Sequence, residues 1–208
     1  MNKNILAQTD KYYTSKLLQY GESSRGVDWN SEDAQIIRFS QITKIIAEKP
    51  GDHFTICDYG CGLGDYCDYL GMSYQSYNYY GVDVSKEMIA SAQRKHPHVQ
   101  FSTAPNLAME FDYLVSSGIF NVKQAVSDKA WESYIIEVIR MFSQYARKGF
   151  AFNCLTKYSD EEYKKDYLYY ADPLVLFDYC KRNFSKNVAL LHDYNLYDFT
   201  ILVRKENA

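Results

Sequence analysis

The stretch FTICDYGCGLG at residues 54–64 joins a short apolar run to a glycine-rich turn, and it decides the fold. The run from Phe54 to Asp58 is bounded by turn residues, which predicts a buried strand. Glycines at 60, 62 and 64 allow a tight turn and let the backbone approach a ligand with no Cβ in the way. A helix is predicted directly after them, over 65–71, so the stretch forms a strand–turn–helix unit.

Strands and helices alternate on the C-terminal side of this unit. Apolar runs predict strands at 79–83, 99–101, 111–116 and 150–155, with helices at 85–94 and 128–147. Pro173 opens a further helix, and the last strands, 188–191 and 199–203, are joined by a short turn that makes them antiparallel. The pattern predicts an α/β fold: a doubly wound, seven-stranded, mostly parallel sheet with an antiparallel C-terminal hairpin.

The N-terminal part of the chain is polar and precedes the sheet. Residues 1–30 are expected to form an arm or lid on a single domain that spans 1–208. Asn30 is expected to cap the next helix, because Glu32 and Asp33 then lie in its first turn. That helix is expected to end at Lys49-Pro50-Gly51.

Charge and cysteine content exclude several classes of protein. Lys plus Arg is 23 and Asp plus Glu is 26, a net charge of -3, which disfavours nucleic acid as a partner. No apolar run is long enough to span a membrane, and the N-terminus has no long apolar region of the secretory type. Five dispersed cysteines without a CxxC pair predict free thiols in the cytoplasm and no zinc site. The expected protein is a monomer or homodimer that interacts with small molecules.

Two acids stand beside the glycine turn. Asp58 ends its strand at the crevice where such sheets bind ligands, and a carboxylate there suits a cationic group better than a pyrophosphate. The spacing GxGxG also differs from the dinucleotide turn GxGxxG, and Asp65 would repel phosphate. Asp83 ends the following strand, where a carboxylate accepts hydrogen bonds from ribose hydroxyls.

Residues 58–64 match every fixed position of DxGCGxG, and the chain here resembles the class I S-adenosylmethionine-dependent methyltransferases over residues 35–205. The resemblance implies S-adenosyl-L-methionine as cofactor and S-adenosyl-L-homocysteine as product. It also implies that the turn residues Gly60, Cys61, Gly62 and Gly64 wrap the methionine part of the cofactor. By the same resemblance, Asp58 lies near its ammonium, Asp83 binds its ribose and Val84 contacts its adenine. Ser116, at the end of the fourth strand, is expected beside the sulfonium.

Two further features bear on the cofactor. Arg38 is expected to pair with the cofactor carboxylate, which would otherwise lose its hydration unpaired. Members of the family often carry an acid for the adenine amino group after the third strand, and the matching stretch here, Ser102-Thr103-Ala104, has none.

The fourth-strand segment SSGIF at 116–120 narrows the acceptor. It is not the NPPY type, so by resemblance methylation of adenine N6 or glutamine is disfavoured. It also lacks a Pro-Cys pair, so cytosine C5 methylation would have no nucleophile. The remaining expectation is a small-molecule hydroxyl or amine.

Candidate acceptor residues come from three segments. His192 is the candidate base for a hydroxyl acceptor, and an ordinary polar loop is the alternative interpretation. Residues 156–172 are expected to form an acceptor-binding insertion, with a solvated helix around its paired acids and lysines. The chain has 21 tyrosines, which codon bias or an aromatic pocket would explain. The candidate substrate-binding residues are Tyr13, Trp29, Tyr158 and Tyr170.

Two alternatives to a methyltransferase remain open from the sequence. One is a protein that binds S-adenosylmethionine without catalysis. The other is an NAD-binding Rossmann module, against which the glycine spacing, Asp58 and the closing hairpin argue.

Overall fold

The structure is a computed structural model that describes residues 2–28, 31–49 and 51–206. The helices are α1 (Lys3–Tyr20), α2 (Glu32–Thr43), α3 (Asp65–Gly71), α4 (Lys86–Lys95), α5 (Asp128–Tyr145) and α6 (Pro173–Asn183). The strands are β1 (Phe54–Tyr59), β2 (Tyr77–Val82), β3 (Gln100–Ser102), β4 (Phe111–Ser116), β5 (Ala146–Leu155), β6 (Asn187–Leu191) and β7 (Asp198–Arg204).

The strands form one sheet in the order β3-β2-β1-β4-β5-β7-β6. The first five strands of this order are parallel, and β7 pairs antiparallel with both β5 and β6. This confirms the predicted sheet with its antiparallel hairpin. The strand order reverses between β1 and β4, so the carboxyl ends of these two strands border the crevice where open α/β sheets bind ligands.

Apolar helix faces cover the sheet on both sides. On one side Trp131, Ile139 and Phe142 of α5 pack against the sheet as one apolar face of the helix. On the other side Ile42 of α2 and Leu70 of α3 are fully buried against β1 and β4. The two layers bury both faces of the central strands, which explains why β4 is almost continuously apolar.

The helix before β1 differs from the prediction at both ends. Ser31 is its cap, since its side chain accepts a hydrogen bond from the N–H of Ala34 at 3.2 Å. The predicted cap, Asn30, lies outside the described residues. The helix ends at Thr43 rather than near residue 50, because the N–H of Lys44 and of Ile45 bond three residues back in a tighter turn.

The boundary between α5 and β5 also differs from the prediction. The helix ends at Tyr145, and β5 begins at Ala146 instead of Phe150. Ala146 pairs with Phe111, and Gly149 pairs with both Tyr113 and Arg204, so strand partners on two sides set the extended backbone. This pairing overrides the helical pattern that led to the prediction of a helix to 147.

The N-terminal arm contains a long helix that the sequence did not indicate. Asn2 caps α1, and its two buried apolar residues, Ile5 and Leu17, are separated by three turns of helix. With so few apolar residues on one face, the sequence shows little helical periodicity. The helix is stabilised by contact with the rest of the protein. Within the described residues, no helix is long and apolar enough to cross a membrane.

Trp131 ties the core to the loop after β4. Its indole N–H donates to the carbonyl of Phe120 at 2.8 Å, and the side chain is 1% exposed. Replacement by phenylalanine keeps an apolar ring but leaves the buried carbonyl without its donor and a small gap in the packing. We expect Trp131→Phe to lower the free energy of unfolding by about 2 kcal/mol, measured by urea denaturation.

The matched control is Leu174→Ala, which truncates a side chain on α6 that is 57% exposed. Its free energy of unfolding is expected to stay within about 0.5 kcal/mol of the wild type. Equal effects of the two substitutions would contradict the structural role given to Trp131.

Candidate active site

A cavity of about 820 Å³ opens at the carboxyl ends of β1, β2 and β4. Its walls come from α1, α2, the glycine turn, the loop after β4, the segment 156–172 and the β6–β7 turn. The volume is in the range of pockets that hold drug-sized ligands. The glycine turn and the two acids beside it, Asp58 and Asp83, therefore line the same cavity.

The glycine turn adopts a backbone that other residues rarely take. Gly60, Gly62 and Gly64 have φ angles of 84°, 52° and 80°. A Cβ at Gly60 would lie 2.1 Å from Cγ2 of Ile119. Gly60, Cys61 and Gly62 line the cavity, whereas Gly64 precedes α3 and lies outside the lining. The turn thus presents backbone without a side chain to a ligand at Gly60 and Gly62.

Asp58 is a buried carboxylate in the cavity wall. The hydroxyl of Tyr79 donates to its Oδ2 at 2.6 Å, and the residue is 3% exposed. Burial raises the pKa of Asp58 to about 7, and the neighbouring Asp83 and Asp65 add to this, while the Tyr79 hydrogen bond opposes it. A cationic ligand group beside Asp58 would remove the cost of ionising it.

Asp83 lies just beyond β2 and is held by backbone donors. Its Oδ2 accepts from the N–H of Gly62 at 3.0 Å, and its Oδ1 accepts from the N–H of Ser85 at 2.9 Å. Burial nevertheless raises its pKa above the ordinary value. Each carboxylate oxygen can accept more than one hydrogen bond, so Asp83 can also accept from hydroxyls in the cavity. Val84, the next residue, also lines the cavity.

Arg38 lines the cavity from α2 and pairs with Asp198 of β7. Its Nη2 donates to Asp198 Oδ2, and its Nη1 donates to the carbonyl of Ala34 at 3.0 Å. Both residues are buried, so loss of either would leave a charge without its partner. The pairing with Asp198 is a contact that sequence reasoning missed, because the two residues are 160 positions apart.

The end of β4 is organised by asparagines that the sequence did not single out. The predicted Ser116 is buried outside the cavity lining and donates to the carbonyl of Tyr59 at 2.7 Å. Its neighbours Ser117 and Gly118 line the cavity instead. Asn153 on β5 binds both of them, accepting from the Gly118 N–H at 2.8 Å and donating to Ser117 Oγ at 3.0 Å.

Helix α1 forms one wall and is fastened to α4. Thr14 Oγ1 lies 2.8 Å from Ser85 Oγ and donates to Glu87 at 3.2 Å. This contact directs the predicted acceptor residue Tyr13 to the cavity lining. Trp29, another predicted acceptor residue, lies outside the described residues.

The segment 156–172 also lines the cavity, with the Tyr167 ring 6.5 Å from that of Tyr12 on α1, but it is not the expected helix. Only Glu161–Tyr163 form a 3-10 turn. The rest consists of turns and irregular chain, with bridges that pair Thr156 with Ala171 and Leu168 with Val122. These pairings outcompete the helical pattern of the charged residues.

The tyrosines and histidine predicted at the acceptor site separate into two places. Tyr170 lines the cavity. Tyr158 is 56% exposed and packs on the exposed His192, with ring centroids 6.0 Å apart, and neither residue belongs to the cavity lining.

The residues present fit S-adenosylmethionine. Gly60 and Gly62 expose backbone without a side chain in the cavity lining, and the buried Asp58 and half-buried Asp83 suit an ammonium and a ribose. Asp65 at the first position of α3 makes the helix N-terminus a poor site for a pyrophosphate. Residues 102–104, which lack the adenine-binding acid, do not line the cavity.

Comparison with known proteins agrees with this site. The sequence profile of a family described as "Methyltransferase domain" matches residues 56–144. The protein named "Putative methyltransferase Rv1506c" from Mycobacterium tuberculosis is 49% identical over 157 residues, which are 74% of this chain and 95% of that protein.

Solved structures share the fold at low sequence identity. Magnesium protoporphyrin IX methyltransferase from Synechocystis PCC 6803 with bound S-adenosylmethionine superposes with a TM-score of 0.66 at 14% identity, over 99% of this chain and all of the other. The plantazolicin methyltransferase BpumL superposes with a TM-score of 0.62 at 12% identity, over 99% and 100% of the two chains. With its sequence relative, its matching domain and its glycine turn, the chain belongs to the class I S-adenosylmethionine-dependent methyltransferases.

Proposed function

We propose that this methyltransferase transfers the methyl group of S-adenosylmethionine to a hydroxyl or amine of a small-molecule acceptor. The observation that carries the proposal is the enclosure of the cavity: one space of about 820 Å³ is lined by α1 and by the segment 156–172, which meet where the rings of Tyr12 and Tyr167 lie 6.5 Å apart. Such a walled space suits a small acceptor better than a folded macromolecule.

The cofactor would lie along the glycine turn from Asp58 to Val84. The backbone of Gly60, Cys61 and Gly62 supports the methionine part, and the Asp58 carboxylate binds its ammonium. Asp83 accepts hydrogen bonds from the ribose hydroxyls. Val84 gives the adenine an apolar contact, and Arg38 faces the carboxylate while it stays paired with Asp198.

The bound cofactor supplies a methyl group on a sulfonium, which is already activated toward nucleophiles. The protein therefore contributes mainly by placing the acceptor atom in line with the methyl and by excluding water. Ser117 and Gly118, fixed by Asn153, would border this position. The interaction of Asp58 with the ammonium holds the donor against sliding along the cavity.

Whether the reaction needs a base depends on the acceptor atom. A hydroxyl needs its proton removed, whereas an amine can bind in its neutral form. His192 remains the candidate base, although it is exposed and outside the cavity lining. Unchanged turnover in His192→Ala would exclude that role and favour an amine.

The state of the cysteines supports a location in the cytoplasm. The five cysteines are free and buried, which fits a reducing compartment such as the cytoplasm. We also retain a monomer or homodimer as the working assembly.

A test of the acceptor class uses S-adenosylmethionine labelled in its methyl group. The protein is incubated with a cell extract that has been divided by ultrafiltration into small molecules and macromolecules. We expect label to be transferred in the small-molecule fraction. Transfer to protein or nucleic acid alone would contradict a small-molecule acceptor, and boiled enzyme is the control.

Binding of S-adenosylhomocysteine tests the cofactor residues by calorimetry. Asp83→Ala removes the acceptor for the ribose hydroxyls, so we expect about 100-fold weaker binding. The matched control, Asp178→Ala, removes an exposed acid of α6 that pairs with Arg182, and its affinity is expected to be unchanged. Preference for NAD over S-adenosylhomocysteine would contradict the proposed mode of binding.

The pH dependence of this binding tests Asp58. Its carboxyl must be ionised to attract the ammonium, and its pKa is raised to about 7 by burial. Affinity is therefore expected to increase about tenfold from pH 6 to pH 8, since the ionised fraction increases by that factor. Asp58→Asn should bind weakly with no such increase.

Tyr79→Phe serves as the companion variant for this pH profile. The Tyr79 hydroxyl donates to the ionised carboxylate, so its loss raises the pKa of Asp58 further. The midpoint of the binding curve is expected to move to higher pH. A midpoint that stays in place would show that another group controls the profile.

A further inference from the structure

Charge is distributed unevenly along the cavity. The acids Asp58 and Asp83 lie where the glycine turn meets β2, the part proposed above for the cofactor. A separate part of the lining, here called the acceptor end, consists of residues from 155–170 and 195–198. Its charged lining residues are Lys165 and Asp198.

At the acceptor end, Lys165 carries a positive charge that no carboxylate of the described residues pairs with. Asp198 is neutralised by Arg38, and its side chain is fully buried. The ammonium of Lys165, by contrast, pairs with no carboxylate among the residues that the structure describes; its recorded contact is the ring of Tyr167, 5.9 Å from the centroid. The adjacent Lys164 is paired with Glu161 at 2.5 Å and does not line the cavity.

The backbone around Lys165 is anchored. Its N–H donates to the hydroxyl of Tyr170 at 2.9 Å. The following residues are tied to the loop after β4, where Tyr169 N–H donates to the Asn121 carbonyl at 2.8 Å and Gln124 N–H donates to the Tyr167 carbonyl at 3.0 Å. These hydrogen bonds fix the backbone of the segment beside the cavity, while the Lys165 side chain itself is exposed.

Aromatic rings surround the same end. Tyr163, Tyr167, Tyr170 and Tyr197 all line it, and the rings of Tyr163 and Tyr197 lie 5.9 Å apart. Tyrosine rings offer flat apolar faces that pack on planar groups. Two carboxylates of the cavity lining lie near these rings, and each already has a cationic partner: Asp198 pairs with Arg38, and Asp28 pairs with Lys16 at 2.7 Å.

We propose that the acceptor is anionic: its ring packs on the tyrosines of the acceptor end, and its carboxylate or comparable anionic group binds the ammonium of Lys165. Lys165 is then a specificity-determining residue. This proposal rests on the proposed function, because it describes the acceptor of that same reaction.

The test measures binding of two probes to protein saturated with S-adenosylhomocysteine. The probes are para-hydroxyphenylacetate and tyramine, which share a phenol ring and differ in the sign of their charge. We expect wild-type protein to bind the anion about tenfold more tightly than the amine, measured by ligand-observed NMR titration. Binding of the amine with equal or greater affinity, or binding of neither probe, would overturn the proposal.

Two neighbouring lysines give a matched pair of variants. Lys165→Met keeps most of the apolar stem and removes the charge, so the affinity for para-hydroxyphenylacetate is expected to decrease about tenfold while that for tyramine does not decrease. Lys164→Met changes the net charge equally; its ammonium pairs with Glu161 and lies 5.8 Å from the centroid of the Tyr170 ring, outside the cavity lining, so its loss should leave both affinities unchanged. An equal decrease in the two variants would indicate long-range attraction rather than a contact.

Calorimetry with S-adenosylhomocysteine separates this proposal from the proposed function. Both lysine variants are expected to bind it as the wild type does. Weaker binding in Lys165→Met would mean that this lysine serves the cofactor carboxylate, which overturns the assignment to the acceptor. Failure of the wild type to bind S-adenosylhomocysteine would instead contradict the proposed function itself.

Discussion

Two backbone hydrogen bonds clamp the end of β1 to the end of β2. The N–H groups of Gly60 and Cys61 donate to the carbonyl of Val82 at 2.7 and 3.0 Å. Since Asp58 lies just before this clamp and Asp83 just after it, the clamp brings both carboxylates to one cavity. The positive φ of Gly60 makes the turn possible, and the absence of a Cβ leaves room for Ile119. Both the cradle and its acids depend on this contact.

Polar side chains from distant parts of the chain then fix the walls. Asn153 holds the end of β4, and Arg38 joins α2 to the C-terminal hairpin through Asp198. These groups are buried, so the loss of one partner would leave the other without a hydrogen bond and lower the free energy of unfolding. The resulting geometry is rigid at the sheet, while α1 is fastened by contacts such as Thr14 to Ser85 that are only partly buried.

Burial also gives the cavity its electrostatic character. Burial raises the pKa of Asp58, so a cationic ligand group beside it would offset the free energy needed to ionise the carboxyl. Lys165 at the acceptor end remains exposed and carries its charge without a carboxylate partner in the described part of the chain. In the proposed arrangement, the ammonium of the cofactor would meet the Asp58 carboxylate, and an anionic acceptor would meet Lys165.

The sequence by itself determined the sheet and the glycine turn, because both follow from local patterns: apolar runs of strand length, and glycines where the backbone needs positive φ. It also identified Asp58 and Asp83, which adjoin that turn. It missed α1, whose apolar stripe is sparse, and the true start of β5, which strand partners decide. Only the tertiary structure joined Arg38 to Asp198 and Asn153 to Gly118, and directed Lys165 rather than Tyr158 and His192 to the cavity. Such contacts join residues far apart in the chain, so no local spacing encodes them.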